Sequence, residues 1–483
     1  MRNDRSRRTG ITVLGTLMLA LSASCGIKVS VELDGRASSW FDAQSYLDEH
    51  PLPAGYVLAK SPARRTLSFR LSEGSGGSPT GRVVSRRWLA CPVPFGEGPL
   101  SVDSRTALSL GLMPLAAIGA PYRAASIDGL FPGQEGYPFE ERVVLELEGK
   151  SESALDAWFE SLPATGAKPV VLGAVGDMIV HEKFQGRLDD AGGDPSVFFG
   201  DTIALLRSFD YLIGNLEGPV STRGTGNPIK KYQFRHRPSV LKAFAAAGVD
   251  HFAFANNHTL DFGLEAFLDT LDAIDALGAG RSGAGRDLAE ASAPYRTNVG
   301  GHELSLFAWA GYPVESRGYS PAHAAAGPSN PGILTDAGLL RSSIAEEAAL
   351  GRMVIVIAHA GYEYVTTPHP AIRALYRSFA EAGASLVLGG HPHVLQGMES
   401  HDGATIAYSL GNFVFIGLDE DPPAQRSGVF SFLLYDGKVR GWNFTPAHAG
   451  NEKTNLVPQE HASAATAYFM SLVQALASDG TGK

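Results

Sequence analysis

From about Lys168 onward, short apolar runs recur between longer segments whose apolar residues return every three or four positions. The runs are "PVVLGAV", "YLIG", "HFAFA", "MVIVIA", "SLVLG" and "TIAYSL". Continuous apolar runs this short predict strands buried on both faces. The segments "SVLKAFAAAG", "GLEAFLDTLDAIDALG" and "PAIRALYRSFAEAGA" carry the helical period instead. Alternation of the two predicts layered sheets and helices over residues 168–450, with a closing helix and tail over 451–483. Upstream, residues 28–163 hold strand-like pieces such as "TLSFRL" and "ERVVLELEG", broken by "SEGSGGSPTG" and many prolines. They predict a smaller N-terminal α/β domain, joined to the next by the linker "SLPATGAKP".

Each apolar run in the larger domain is followed by polar side chains. "PVVLGAV" leads to Gly176 and Asp177, "YLIG" to Asn215 and Glu217, and "HFAFA" to Asn256, Asn257, His258 and then Asp261. "MVIVIA" leads to His359 with Glu363 nearby, "SLVLG" to His391 and His393, and "TIAYSL" to Asn412. In α/β architectures, sites gather beyond the carboxyl ends of strands, where loops converge. Buried without partners, such groups would each cost about 2 kcal/mol or more. A divalent cation, or a pair sharing one carboxylate, satisfies them together. Imidazole and carboxylate oxygens suit Mn, Fe, Zn or Co without choosing among them. If "HPH" is extended, alternation puts His391 and His393 on one face, placed to grip cations.

In order and spacing, "GDMIVH", "NLEGPVS", "FANNHTLDFG", "HAGYEY", "GGHPHVLQ" and "YSLGNFVF" closely resemble the CapA, or poly-γ-glutamate capsule biosynthesis, family of calcineurin-like metallophosphoesterases. The resemblance covers about Val170 to Val429. It implies a four-layer sandwich, two β-sheets flanked by helices, with a metal centre at one edge. By motif, Asp177 and His393 would serve a first metal, Glu217 would bridge, and Asn257, His359 and His391 would complete a second. His258 would protonate the leaving group. Metallophosphoesterases usually open with Asp-x-His, whereas Ile179 stands here at the histidine position and His181 lies out of register. The implied activity is metal-dependent hydrolysis of a phosphoester or amide-like bond. The implied partners are an anionic envelope polymer and capsule synthesis or export machinery. The alternative is a non-catalytic polymer-binding or export-assisting subunit that keeps the metal site.

Other residues have two readings. Asp261 either caps the helix starting at Gly263 or belongs to the site. Glu363 either orients His359 or faces solvent. Arg235, with Lys231 and Arg237 in "KKYQFRHRP", either holds an anionic substrate or is simply solvated. Ser409 lacks a nucleophile-elbow setting.

A net charge of -10 over 483 residues gives no reason to expect a nucleic-acid partner. "MRNDRSRR" followed by "ITVLGTLMLALSA" has the layout of a secretory signal over residues 1–25. It resembles a bacterial lipoprotein signal, which makes Cys25 a lipidation site and predicts an exported, membrane-anchored protein facing the periplasm or the exterior. Cys91 is then the only other cysteine, so neither a disulfide framework nor a cysteine metal site is expected. The stretch Ala125 to Leu147 resembles a lobe of periplasmic solute-binding proteins, which sets a sensor role beside the two above.

Overall fold

The structure is a computed structural model and describes residues 27–33, 41–54, 56–58, 65–73, 82–135, 137–148, 153–162, 168–417 and 422–478. The expected signal segment 1–25, with Cys25, lies outside the described residues. The chain divides into two compact units, Met1–Ala90 with Pro132–Ala167, and Cys91–Phe131 with Lys168–Lys483.

In the smaller unit the strands Ile27–Leu33, Tyr56–Leu58 and Arg65–Glu73 run parallel. Glu140–Glu148 lies antiparallel to Arg65–Glu73. The helices Ala43–Glu49 and Ser153–Ser161 supply Tyr46, Leu47 and Leu155 to a core with Leu67, Phe69 and Leu145. This division differs from the expected block at 28–163, because residues 91–131 belong to the larger unit. There Cys91 to Pro94 pair with Tyr122 to Ala125, whose strand also meets Gly441. The meeting of Ala124 with Gly441 spans more than 300 positions, beyond the reach of local patterning.

Among its described residues the larger unit holds two large sheets and a small one that pairs Ala284–Gly285 with Gly332–Ile333. In the first, Gly280–Ser282, His251–Ala253, Tyr211–Leu216 and Val170–Val180 are parallel neighbours, and the hairpin Arg426–Tyr435/Lys438–Ala449 extends the edge. In the second, His302–Gly311, Met353–Ala360, Ala384–Gly390 and Ala404–Ala407 are parallel, with antiparallel strands at both edges. Side chains alternate faces along a strand, and the second sheet divides its residues accordingly. Leu304, Leu306, Ile355, Ile357, Leu386 and Leu388 pack into one core with Leu172, Ile213, Phe252 and Phe432 of the first sheet. The intervening Phe307, Trp309, Val354, Val356 and Val387 face the helices Ala337–Ala349 and Pro370–Glu381. On the other side, Pro238–Ala246 and Gly263–Leu277 cover the first sheet through Phe244, Phe267, Leu271 and Ile274. The order helix, sheet, sheet, helix is the four-layer sandwich expected.

The helix boundaries follow local chemistry. Gly263–Leu277 buries Ala266, Phe267, Thr270, Leu271 and Ile274, one face at helical spacing. It stops at Gly278, whose φ of 70° suits the left-handed position that ends a helix. Pro370–Glu381 opens with proline in its first turn and with the His369 ring accepting from Ala371 N.

Candidate metal centre

All six strand ends converge. In Val170–Val180 the pairing with Tyr211–Leu216 shifts register, so that Ala174 faces Ile213 and Asp177 faces Asn215. On its other side Asp177 pairs with Asn412, at the start of Asn412–Ile416. The bulge turns the carboxylate into the junction of the two sheets. Asn215 Nδ2 donates to Asp177 Oδ1 at 2.8 Å, and His391 N donates to Oδ2 at 3.3 Å. His393 Nδ1 is 3.3 Å from Asp177 Oδ2 and 2.9 Å from Asn412 Oδ1. Glu217, one residue past its strand, is fully buried, with Oε1 3.4 Å from His359 Nε2 and 3.9 Å from His393 Nε2. His359 Nε2 lies 3.0 Å from Asn257 Oδ1, and the His359 and His391 rings are 4.9 Å apart.

The "HPH" segment is not extended. His391 has φ of 91° and His393 of 57°, both in the left-handed region, so the shared-face expectation is replaced by a tight turn. The two rings lie 6.2 Å apart and serve different neighbours: His393 meets Asp177, Glu217 and Asn412, and His391 stands beside His359. Two glycines make room. A Cβ on Gly390 would come within 2.9 Å of Asp177 Oδ1, and one on Gly176 within 1.9 Å of the Gly411 carbonyl.

Asp177, Glu217 and His393 offer ligand atoms within 4.8 Å of one another, a group that could hold a metal ion. Both Glu217 carboxylate oxygens and both His391 ring nitrogens are buried without a hydrogen-bond partner. Native interiors rarely leave such groups unpaired, and a divalent cation is the partner that carboxylate and imidazole share. The residues therefore fit the implied metal. The buried acids give the site a field that favours positive charge. Burial opposes charge on both His393 and Asp177, yet Glu217 and Asp177 overcome it and push His393 up to about 10. The Asp177 carboxyl is held below its ordinary range, against burial, by the hydrogen bond from His393 and by His359. Burial together with the neighbouring histidines keeps His391 well below the usual histidine value.

Behind this cluster stands a second one. His258 Nδ1 is 2.6 Å from Asp261 Oδ2, and Phe234 N donates to the same oxygen at 2.7 Å. The Lys230 side chain is fully enclosed, donating to the Asn257 carbonyl at 2.8 Å and to Glu315, with Asp261 at 3.5 Å. Burial and Lys230 hold His258 well below its ordinary value, and burial pushes Asp261 up to about 8. Asp261 is no helix cap: Gly263–Leu277 begins at Phe262 with no side-chain cap. Asn256 Nδ2 donates to Asn215 Oδ1 at 3.2 Å and its Oδ1 accepts from His258 N at 3.1 Å, linking the two clusters.

The remaining expected residues lie elsewhere. Glu363 is exposed and does not orient His359, whose ring nitrogens face Asn257 and Asn215; Glu363 acts on His393 only through its charge. Arg235 pairs with Glu182 at 2.9 Å and lies 4.1 Å over the Phe262 ring. Ile179 is fully buried in its strand, and His181 caps a short helical turn by accepting from Lys183 N. Sequence reasoning missed Lys230 and Glu315: nothing local separates Lys230 from Lys231, and the ion pair spans 85 positions.

Two largely parallel sheets between helices, with carboxylates and imidazoles buried where the two sheets meet, define a layered α/β protein with a candidate metal centre. Within that class, the family described as bacterial capsule synthesis protein PGA_cap matches residues 171–416, just over half of the 483 residues. The chain belongs to this family. It is 30% identical over 244 residues to the PGA biosynthesis protein CapA of Bacillus subtilis (strain 168), covering 50% of this chain and 62% of that protein. It is 31% identical over 249 residues to the capsule biosynthesis protein CapA of Bacillus anthracis, covering 50% and 58%. The chain thus spans about three-fifths of the length of these relatives. Among solved structures, a 5'-nucleotidase from Candida albicans SC5314 aligns over 63% of this chain and 53% of its own, at 13% identity and a TM-score of 0.35.

Proposed function

We propose that this protein is a metal-dependent hydrolase of the cell envelope, acting on a phosphoester or amide-like bond in the making of poly-γ-glutamate or a related anionic polymer. The observation that carries the reading is the orphaned pair Glu217 and His391, buried among Asp177, His359, His393 and Asn257. Asp177, Glu217 and His393 would hold one metal ion, and Glu217, Asn257, His359 and His391 a second. When bound, the metal supplies Lewis acidity and a lowered pKa for water.

The chain's own groups do the rest. Asn215 fixes the Asp177 carboxylate and Asn412 fixes His393, so neither ligand has to be ordered when metal arrives. Asp261 holds His258 at Nδ1, leaving Nε2 as the atom that gives a proton to the leaving group. The half-exposed Tyr364, whose N–H donates to the Pro392 carbonyl, has its ring 6.0 Å from that of His393.

The second reading, a polymer-binding or export-assisting subunit, is favoured by Ile179, an apolar residue where metallophosphoesterases usually carry histidine. Anchoring through Cys25 belongs to either reading, with the membrane and the polymer machinery as partners. Among the described residues no helix is long and apolar enough to cross a membrane. The test is turnover of an aryl phosphodiester and of γ-glutamyl peptides by purified protein with added Mn²⁺. Turnover that His258→Ala abolishes while metal stays bound supports the hydrolase. Bound metal without turnover on either class sinks it and leaves the binding role.

A further inference from the structure

A cavity of about 370 Å³ opens in the larger unit, away from the metal centre. Its lining includes Ala384 and Thr405, at the starts of two strands of the second sheet, together with the hairpin turn Gly437–Lys438. The strand Ala384–Gly390 leads from it to the histidine turn, so the two sites stand about 20 Å apart.

The cavity is built around a buried cation. Arg123 is 2% exposed; its Nε and Nη2 donate to the Phe95 and Pro99 carbonyls at 3.3 and 3.1 Å, and its guanidinium sits 4.5 Å over the Trp442 ring. Its Nη1 is buried with no hydrogen-bond partner. Burial pushes Arg123 down to about 10, and among the described residues no acid offsets it. Desolvating a guanidinium is costly unless an anion faces it. Arg440 lines the same cavity, 7% exposed, donating to the Ile118 carbonyl at 2.6 Å. Among the described residues its acidic neighbour is the largely exposed Asp436, at 3.6 Å.

We propose that this cavity is a second ligand site, which takes a small monocarboxylate with an apolar body. The carboxylate answers Arg123 and Arg440, because planar guanidinium and carboxylate match in geometry. Trp442, Phe95 and Val439 offer the apolar wall. Glu381, hydrogen-bonded to His401 at 2.8 Å, and Asp402 also line the cavity and are exposed, so they disfavour a phosphate dianion. Nothing in the proposed hydrolysis uses these residues.

The test is calorimetric titration of the purified full chain with 3-phenylpropionate, and separately with inorganic phosphate. Saturable one-to-one binding of the carboxylate is expected, weakened about tenfold or more in Arg123→Met. Ser385→Phe, which fills the cavity and leaves both arginines, should abolish it, and His391→Ala at the metal centre should leave it unchanged. If Arg123→Met does not fold, Ser385→Phe decides. Absence of saturable binding, binding that persists in Ser385→Phe, binding lost in His391→Ala, or phosphate held as tightly as the carboxylate would each overturn the assignment.

Discussion

Gly390→Ala places one methyl group against the metal centre and changes little else. The added carbon would lie 2.9 Å from Asp177 Oδ1 and 3.4 Å from His359 Nδ1. Ordinary contact begins near the second of those distances, so the carboxylate must retreat by roughly half an ångström. Metal ligands tolerate about 0.2 Å, so the displacement exceeds what a bound cation accepts. The expected loss is about 10- to 100-fold in Mn²⁺ or Zn²⁺ affinity, equivalent to about 1.4–2.8 kcal/mol. Competition with a chelating dye measures the affinity, and urea unfolding in EDTA measures the metal-free fold. The account expects metal-free stability to fall by less than about 1 kcal/mol, because the methyl meets side-chain atoms rather than backbone. Wild-type metal affinity in Gly390→Ala would refute the placement of Asp177 and His359 as ligands. Equal losses of affinity and metal-free stability would show only a damaged fold.

Two further expectations concern buried ionisable groups. Lys230→Met leaves Glu315 without its enclosed cation and should cost about 3–5 kcal/mol of unfolding free energy, with Glu315→Gln in the same chain restoring part; a loss below about 1 kcal/mol would mean the pair is unimportant. His251 is fully buried beside Ser282 Oγ at 2.9 Å, and burial pushes it down to about 3. The unfolded chain takes up that proton near pH 6.5 and the folded chain does not, so stability falls as pH drops through that window. At pH 4.5 the loss is about 2–3 kcal/mol, and His251→Gln should remove it; parallel stability profiles from pH 7 to 4.5 for variant and wild type would contradict this.

Much of the larger unit could be read from its sequence because its central strands are buried on both faces. Val170–Val180, Met353–Ala360 and Ala384–Gly390 are apolar without alternation, and the first polar residues mark where each strand meets the site. Asp177, Glu217, Asn257, His359, His391 and His393 were visible on that ground. What was not legible depends on backbone turns or long separations. The left-handed φ of His391 and His393 has no local signature in "HPH", since proline restricts its neighbours toward extended backbone. Asp261 reads as a helix cap from position alone, and only the approach of Phe234 and Lys230 from another loop shows its bond to His258. The meeting of Ala124 with Gly441, which ties residues 91–131 to the rest of the larger unit, joins segments too far apart to leave a local signature.

The claim on which the rest depends is that six strand ends together form a metal centre. Elemental analysis after dialysis against Mn²⁺ tests it most directly, on wild type and on Asn257→Ala/His391→Ala. At least one equivalent of metal in the wild type, lost in the double variant while it stays folded, is the predicted result; equal metal in both, or none in either, would contradict it.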